Sequence, residues 1–505
     1  VYIENDKLLV KSSENAVTLD DVIQQCGSLS RFQYFHYFFL NLIPIVTGTI
    51  NFFYVYGVAE PLYRCRLPDT IWSNDQYHPF NSTHQHLIDA WIINQDQCSI
   101  RKPLFNNLSQ PSNETIACSR WVYDRSVFGR TFTEEADFVC INNIKRSLLS
   151  SALQIGAILL LLNQFLSGID SYMIVFVLLM ELTSSTHTSF AGNLALVAFT
   201  LGEIVVTLCA YLCKDWLLLK WTLSFLILLT VPYLYFIPES PYWLYSKKKY
   251  DQLEINLRQI AKTNRCDESN WFPSYQMLKK TLEIEKMPSK LSLGSKIKRL
   301  LTHSPTMLKL LISAAIGFTT MLLYMKIAYG LAAMKDTNPY VNIIMGALVE
   351  SAGYLSAWLL MNKIGRKRSF LAYTLLTTAC VIVIQITLKY NSIFIISVAQ
   401  LGKFAISGAV CVSFIYVPEL FPTTIRSGAS SFFACIGRIG AIIAPTLDAS
   451  LNEKHLHITT YIYALLAIII LGLTFALPET KNRPFEAKID YTERTLKEKS
   501  TNTMN

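Results

Sequence analysis

Residues 98–118 read CSIRKPLFNNLSQPSNETIAC, a polar stretch with a cysteine at each end and two glycosylation sequons, Asn107-Leu-Ser and Asn113-Glu-Thr, between them. A third sequon, Asn81-Ser-Thr, lies upstream, and Cys65 and Cys140 complete a set of four cysteines. A lone sequon recurs by chance. Three within 35 residues, and nowhere else in the chain, interleaved with an even cysteine set, do not. Glycan addition and disulfide formation both belong to the secretory lumen. The polar segment 61–146 is therefore expected outside the cytosol. Asn81, Asn107 and Asn113 should carry glycans, and Cys65, Cys98, Cys118 and Cys140 should form two bridges, for which three pairings exist. Long apolar runs on both sides argue against a soluble extracellular domain.

Outward from that segment the chain is apolar. Of its 505 residues 51% are hydrophobic and only 16% charged, with a mean hydropathy of +0.31. A soluble chain carries about a quarter charged residues, so this composition indicates an integral membrane protein with many spans. Apolar runs occupy 34–58, 148–186, 190–213, 216–236, 306–330, 341–362, 369–389, 392–416, 427–449 and 457–477. One span needs about 20 residues. Nine runs fit one helix each; 148–186 is too long for one upright helix and short for two.

Charge resolves that run. Residues 240–303 carry thirteen Lys or Arg against six acids, which places them in the cytoplasm. With 61–146 outside, an odd number of crossings must separate the two. The runs 190–213 and 216–236 supply two, so 148–186 crosses once. Alternation then gives about ten crossings, four before the basic loop and six after it. The expected organisation is a cytoplasmic N-terminus 1–33, a first transmembrane half 34–236 containing loop 61–146, a cytoplasmic basic loop 237–305, a six-helix half 306–477 and a cytoplasmic tail 478–505. The net charge of +9 resides in these loops, so it implies no nucleic-acid partner. The partners expected are the lipid bilayer and a small organic ion; no oligomeric state is legible. Within the basic loop Leu253, Leu257 and Ile260 share one helical face, and Leu293, Ile297, Leu300 and Leu301 share another. Each face suits a linker helix packed under the bundle or a helix lying on an anionic leaflet.

Three short motifs are more specific than hydropathy. Pro418-Glu-Leu-Phe-Pro-Thr-Thr-Ile-Arg426-Ser-Gly428 stands between two spans, Pro238-Glu-Ser-Pro-Tyr-Trp-Leu244 where a span enters the basic loop, and Trp121-Val-Tyr-Asp-Arg-Ser with Thr133-Glu-Glu-Ala-Asp-Phe-Val-Cys140 ends the sequon loop. Together with Arg31-Phe-Gln33, Leu201-Gly-Glu203, Tyr329-Gly-Leu331, Leu348-Val-Glu350 and Pro478-Glu-Thr480, they resemble the organic cation, organic anion and carnitine transporters of the major facilitator superfamily. The resemblance runs from about residue 20 to 485 with one interruption. It implies an all-α, polytopic, major facilitator-type bundle at the plasma membrane that moves small organic ions by alternating access.

The chain departs from that pattern in the first half. The second half keeps a copy of the family's charged loop as Asn362-Lys-Ile-Gly365-Arg366-Lys367, with Asn in place of Asp. The first-half copy is absent. Ser147 to Leu160 resembles the start of the family's second helix, and Leu161 onward its fourth, so the end of helix two, the loop and helix three are missing. Tyr242 also replaces a basic residue of the family motif. The truncation predicts impaired surface expression and transport. A transport-impaired splice or gene-model product therefore stands as the alternative to a working carrier.

Ionisable residues in the spans mark the candidate site, because each is costly there without a partner or a watery cavity. They are Asp170, Glu203, Glu350, Lys403 and Arg438. Arg438 and Lys403 occupy positions that are basic in the family's anion and carnitine branches, which implies an organic anion or carnitine-like zwitterion rather than an organic cation. An Arg offers a fork matched to a carboxylate and a Lys adds a point charge. Tyr329 and Phe404 are expected to line the site, with Glu350 beside the cations; Lys403 or Arg438 pairing with Glu350 is the plainer reading. At the cytoplasmic helix ends Arg366, Lys367 and Arg426 are expected to gate against Glu239, Glu419 and Glu479. Lys326, near an outer helix end, is read as snorkelling. The pairs His84-x-His86 and His455-x-His457 are read as surface histidines. No phosphate loop and no nucleophile motif appears, so neither an enzyme nor an ATP-driven pump is indicated, and no cofactor or metal is expected.

Overall fold

The computed structural model describes residues 17–480 apart from 94–95, 105–106, 141–144, 146–170, 185–186, 285–303, 333–337, 388–391, 422 and 451–455. Asp170, most of the run 148–186, the second amphipathic stretch of the basic loop and both chain ends lie outside the described residues.

Helix α1 (Leu19–Gln25) starts at Thr18, whose hydroxyl accepts from the Asp21 amide while the Asp21 carboxylate accepts from the Thr18 N–H. This reciprocal capping satisfies two donors at a helix start. Helix α2 (Arg31–Gly57) is the first long apolar helix and carries Pro44 in its interior. The sequon segment follows as β1 (Tyr63–Cys65), α3 (Ser82–Trp91), β2 (Ile92–Ile93), β3 (Asp96–Leu104), β4 (Asn107–Ala117), β5 (Trp121–Tyr123) and α4 (Phe132–Glu135). Its strands form two small antiparallel sheets: β1 on β5, with Cys65 opposite Trp121, and β2-β3-β4, with Ser99 opposite Ala117. Disulfides join Cys65 to Cys118 and Cys98 to Cys140, one of the three possible pairings. Cys65, Leu67, Trp91 and Ile100 form its small core. The helices of the bundle were legible from hydropathy, but these strands were not. They are short, and β3 and β4 lack a clean alternation of apolar and polar residues, so the bridges do much to fix them.

The bundle continues with α5 (Ser171–Glu181), α6 (Thr188–Cys213), α7 (Trp216–Thr230) and a short 3-10 turn over Val231–Tyr235. On the far side of the bundle from the sheets lie α8 (Pro241–Ser246), α9 (Tyr250–Asn264) and α10 (Glu268–Ile284), so this end is called inner below. The second half comprises α11 (Ser304–Ala332), α12 (Pro339–Ile364), α13 (Arg366–Thr387), α14 (Ser392–Glu419), α15 (Thr423–Ser450) and α16 (Leu456–Thr474). Among the described residues six stretches are long and apolar enough to cross a membrane, and the apolar parts of α7, α15 and α16 are shorter.

Apolar burial cannot drive helices together in lipid, so close packing must. Helices α2 and α6 show it. A Cβ on Gly48 would stand 2.3 Å from the Phe199 carbonyl oxygen, and one on Gly202 would stand 2.1 Å from that of Ile45. The two backbones therefore touch, and only glycine permits it. Leu253, Leu257 and Ile260 of α9 are buried in the same core as Leu19, Val22 and Ile23 of α1. The first amphipathic face of the basic loop is thus a packed linker helix, not a surface-bound one.

Candidate functional site

Three helices deliver charge to one buried point. Glu203 comes from α6 in the first half; Glu350 from α12 and Lys403 from α14 come from the second. The Lys403 ammonium lies 2.8 Å from Glu203 Oε1 and 3.3 Å from Glu350 Oε2. The three side chains are 3%, 1% and 0% exposed. Glu350 Oε1 also accepts from the Tyr324 hydroxyl of α11 (2.9 Å) and from Tyr354 one turn along α12 (2.6 Å). The Phe52 ring of α2 lies 5.8 Å from the ammonium. Beside it the Tyr56 hydroxyl donates to Thr207, whose own hydroxyl donates to the Glu203 carbonyl. Burying three charges without partners would be prohibitive, and mutual pairing offsets that cost.

Lys403 thus makes the expected pairing with Glu350 and a second one, across the halves, with Glu203. Arg438 sits half-buried on α15, a helix that packs on α11. Phe404 faces Tyr373, with ring centroids 6.2 Å apart. Tyr329 lies in α11, and its side chain is outside the described ones. Phe52, Tyr324 and Tyr354 went unrecognised in the sequence. The spacing of Glu350 and Tyr354, four residues apart on one helix, was the available signal.

The halves also meet near the sheets. Tyr340 of α12 stacks on Tyr56 of α2 with centroids 5.4 Å apart, and its hydroxyl donates to the Val127 carbonyl at 3.2 Å. Further in, Thr200 and Ser351 share a 2.6 Å hydrogen bond.

At the inner end of the second half Arg366 Nε is 3.2 Å from Glu419 Oε2, and Arg366 Nη2 donates to Glu419 Oε1 at 3.2 Å. The Arg366 backbone N–H donates to Glu479 Oε1 (2.8 Å), and Thr480 donates to Glu419 Oε2 (2.6 Å). Lys367 donates to the carbonyls of Phe475 and Leu477. Gly365 has φ +98°, and a Cβ there would meet the Glu479 carboxylate at 2.7 Å. The structure therefore brings Arg366, Glu419 and Glu479 together. Glu239 is exposed and forms no ion pair with Arg366 or Lys367; its backbone carbonyl accepts from Asn256. The Arg426 side chain lies outside the described ones.

The inner end of the first half is held differently. Ser240 donates to the Glu181 carboxylate, and Tyr242 donates to Asp20 (2.9 Å). Burial, with Asp20 adding to it, raises the Tyr242 phenol well above its ordinary value. Asn264 donates to the carbonyls of Cys26 and Gly27 and to Gln33, and accepts from the Phe32 amide.

In the sequon segment Asn81 and Asn113 are exposed; Asn107 lies on β4 with its side chain outside the described ones. His84 is buried rather than on the surface as expected. Its Nε2 lies 2.9 Å from Asp75, its Nδ1 accepts from the Phe80 amide, and Trp72 stacks on its ring at 4.6 Å. Asp75 also accepts from both terminal nitrogens of Arg64. Burial pushes the Asp75 carboxyl up, but Arg64, the Leu67 amide and His84 together pull it below the ordinary 3.8. The side chains of His455 and His457 lie outside the described ones. The Lys326 ammonium lies 5.5 Å from the Tyr463 ring centroid.

Comparison with known proteins places this arrangement. A family profile described as "Sugar (and other) transporter" matches residues 147–491. The chain is 24% identical to the organic cation transporter protein of Drosophila melanogaster, over 93% of this chain and 94% of that one. It is equally 24% identical to the human organic cation/carnitine transporter 2, over 93% of each. Among solved structures, the proton:xylose symporter XylE, a major facilitator superfamily protein, superposes with a TM-score of 0.50 at 17% identity, covering 63% of this chain and 70% of that one. That likeness establishes the fold.

Proposed function

The chain belongs to the sugar (and other) transporter family, and from that premise we propose that it carries a small organic ion with a positively charged nitrogen, a carnitine-like zwitterion being the class that fits best. The buried Glu203–Lys403–Glu350 cluster carries this reading. Two carboxylates face one ammonium, so with all three ionised the cluster is one positive charge short. A quaternary or protonated nitrogen supplies that charge, and Phe52 gives it an aromatic face while Tyr324 and Tyr354 hold Glu350. A zwitterion also offers a carboxylate to Lys403 as the ammonium leaves its partners. A plain organic anion would have to draw Lys403 away from two carboxylates and leave both without a partner. The triad therefore favours the zwitterion over the organic anion that the motifs set beside it.

The cluster also supplies a mechanism. Glu203 belongs to one half and Lys403 to the other, so a substrate that exchanges for either partner loosens or tightens the joint between halves. Rocking about a fixed midplane site is how such folds alternate access. The Arg366–Glu419–Glu479 cluster acts as the inner lock of the second half. Cytoplasmic termini, a glycosylated segment 61–146 outside and a plasma-membrane location complete the reading. The disulfide-tied fold of that segment and the thirteen basic residues of the 240–303 loop support that orientation.

One observation favours a second reading, in which transport is impaired. The alignment with the Drosophila relative runs over 530 residues, whereas 93% of this 505-residue chain is about 470, leaving about 60 positions without a counterpart here. That total is large enough to include the end of helix two, the loop and helix three that the resemblance implies are missing. The test is uptake into proteoliposomes of three labelled probes: a carnitine-like zwitterion, a tetraalkylammonium and an aromatic carboxylate. Saturable uptake of the first, abolished by Glu350→Gln, supports the carrier. Uptake of the carboxylate alone refutes the substrate assignment. Binding without uptake, with uptake gained on inserting a relative's helix-two-to-three segment after Leu160, supports the second reading.

A further inference from the structure

Where the inner ends of α12, α13 and α16 meet there is a cavity of about 720 Å³ that the transport reading does not use. Its polar side holds Lys363, Lys367 and Arg368 with one acid, Glu479. Glu479 already accepts from the backbone amides of Arg366 and Thr480. The Lys367 ammonium is held by two backbone carbonyls, which take two of its three donors but do not neutralise its charge. Lys363 and Arg368 are exposed. The cavity is thus lined by three cations and one carboxylate.

Its other side is apolar: Ile364, Leu371 and Phe475, the last 66% exposed. That wall does not stop at the cavity. Leu371 continues along α13 into exposed Leu375, Ile382 and Ile386, which recur on one helical face. Beyond Phe475, which follows the end of α16, that helix exposes Leu473, Ile469 and Leu465, four residues apart. Helices α13 and α16 pack against each other, and both expose apolar side chains beyond the cavity. A cationic pocket at the foot of an apolar face of spanning helices matches an amphiphile with an anionic phosphate head and acyl chains.

We propose that this cavity binds the headgroup of an anionic glycerophospholipid, with its chains lying along α13 and α16. The ligand chemistry is a phosphate ester recognised by lysine and arginine, and the apolar side of the cavity, with the exposed apolar side chains of α13 and α16 beyond it, assigns it to a lipid rather than to a soluble phosphate. The proposal rests on the membrane-embedded fold and is independent of the transported substrate. Lys367 ties α13 to the chain following α16, so a phosphate drawing on the same ammonium would bear on the inner lock beside it.

The full chain, reconstituted in phosphatidylcholine bilayers containing a trace of a phosphatidylinositol phosphate with a photoactivatable acyl tail, tests this. After illumination, mass spectrometry should map the label to α13 and α16 near Leu371 and Phe475. Excess unlabelled anionic lipid should displace it. In Lys363→Gln/Arg368→Gln, which alters only exposed side chains, apparent affinity should fall about fivefold per cation removed, roughly thirtyfold together. Equal labelling of the same peptides by a phosphatidylcholine probe, or affinity unchanged in the double variant, overturns the proposal. Displacement by inorganic phosphate or a soluble inositol phosphate alone would assign the pocket to free phosphate and overturn the lipid assignment.

Discussion

At the inner end of the second half a guanidinium meets one carboxylate through its side chain and another through its backbone, while at the inner end of the first half a phenol, an alcohol and an amide do the holding. The fold is built of two such halves, so the contrast is informative. The second half keeps a charged loop, Asn362 to Lys367, and its Arg366 reaches Glu419. The resemblance implies that the first half lacks such a loop and that Tyr242 replaces a basic residue of the family motif. Its end is tied instead to α1 and α9, through Tyr242 with Asp20 and through Asn264 with the turn at Cys26 and Gly27. Hydrogen bonds to charged groups contribute about 1.5–3 kcal/mol each; both ends contain them, but only the second half adds an ion pair, Arg366 with Glu419. The second half's lock should therefore be the stronger, and the charge cluster joining the halves stronger than either.

The largest expected effect breaks the contrast by removing what both halves share. Lys403→Ala leaves Glu203 and Glu350 buried without their cation, a loss of about 3–5 kcal/mol. Thermal unfolding of detergent-purified protein should register it as the steepest drop in Tm, and Lys403→Met combined with Glu350→Gln should restore part of it. Arg366→Ala comes next. It strips Glu419 of its fork while the Arg366 backbone still serves Glu479, costing about 2–3 kcal/mol as charge-assisted bonds are lost. A Tm change no larger than that of Tyr242→Phe would dissolve the contrast.

Tyr242→Phe should cost about 1.5 kcal/mol, one partly buried hydrogen bond to the Asp20 carboxylate. Its counterpart Tyr242→Arg sharpens the comparison, because a cation opposite Asp20 should stabilise the first half and make its unfolding salt-sensitive. The smallest effect lies in the sequon segment. Asp75 has a folded-state pKa below its ordinary 3.8. Its contribution is present in full above 3.8 and is lost as pH falls through the lower folded value. Tryptophan fluorescence of Trp72, which stacks on His84, should report opening of this segment only below about pH 4, and Asp75→Asn should remove that acid sensitivity.

Much of this architecture is legible in the sequence because membrane helices announce themselves by length and charge. The run 369–389 became α13 (Arg366–Thr387), and 190–213 became α6 (Thr188–Cys213), with boundaries off by a few residues. The sheets over residues 63–123 were not legible, since strands β3 and β4 carry Pro103 and Pro111 opposite each other and no clear alternation. The site was half legible. Glu203, Glu350 and Lys403 stand out as charges in apolar runs, but nothing local says that residues about 200 apart in sequence touch; that needs the helix packing. His84 was misread because the Asp75 and Arg64 that bury it come from another part of the loop.

Equilibrium binding tests most directly whether substrate binds at the Glu203–Lys403–Glu350 cluster, because it does not require the chain to transport. A tritiated carnitine-like zwitterion should bind the purified full chain saturably, with competition by a tetraalkylammonium but not by an aromatic carboxylate. Binding should weaken tenfold or more, about 1.4 kcal/mol or above, in Glu350→Gln folded to wild-type Tm. The same affinity in wild type and Glu350→Gln, or saturable binding of the carboxylate in its place, would contradict it.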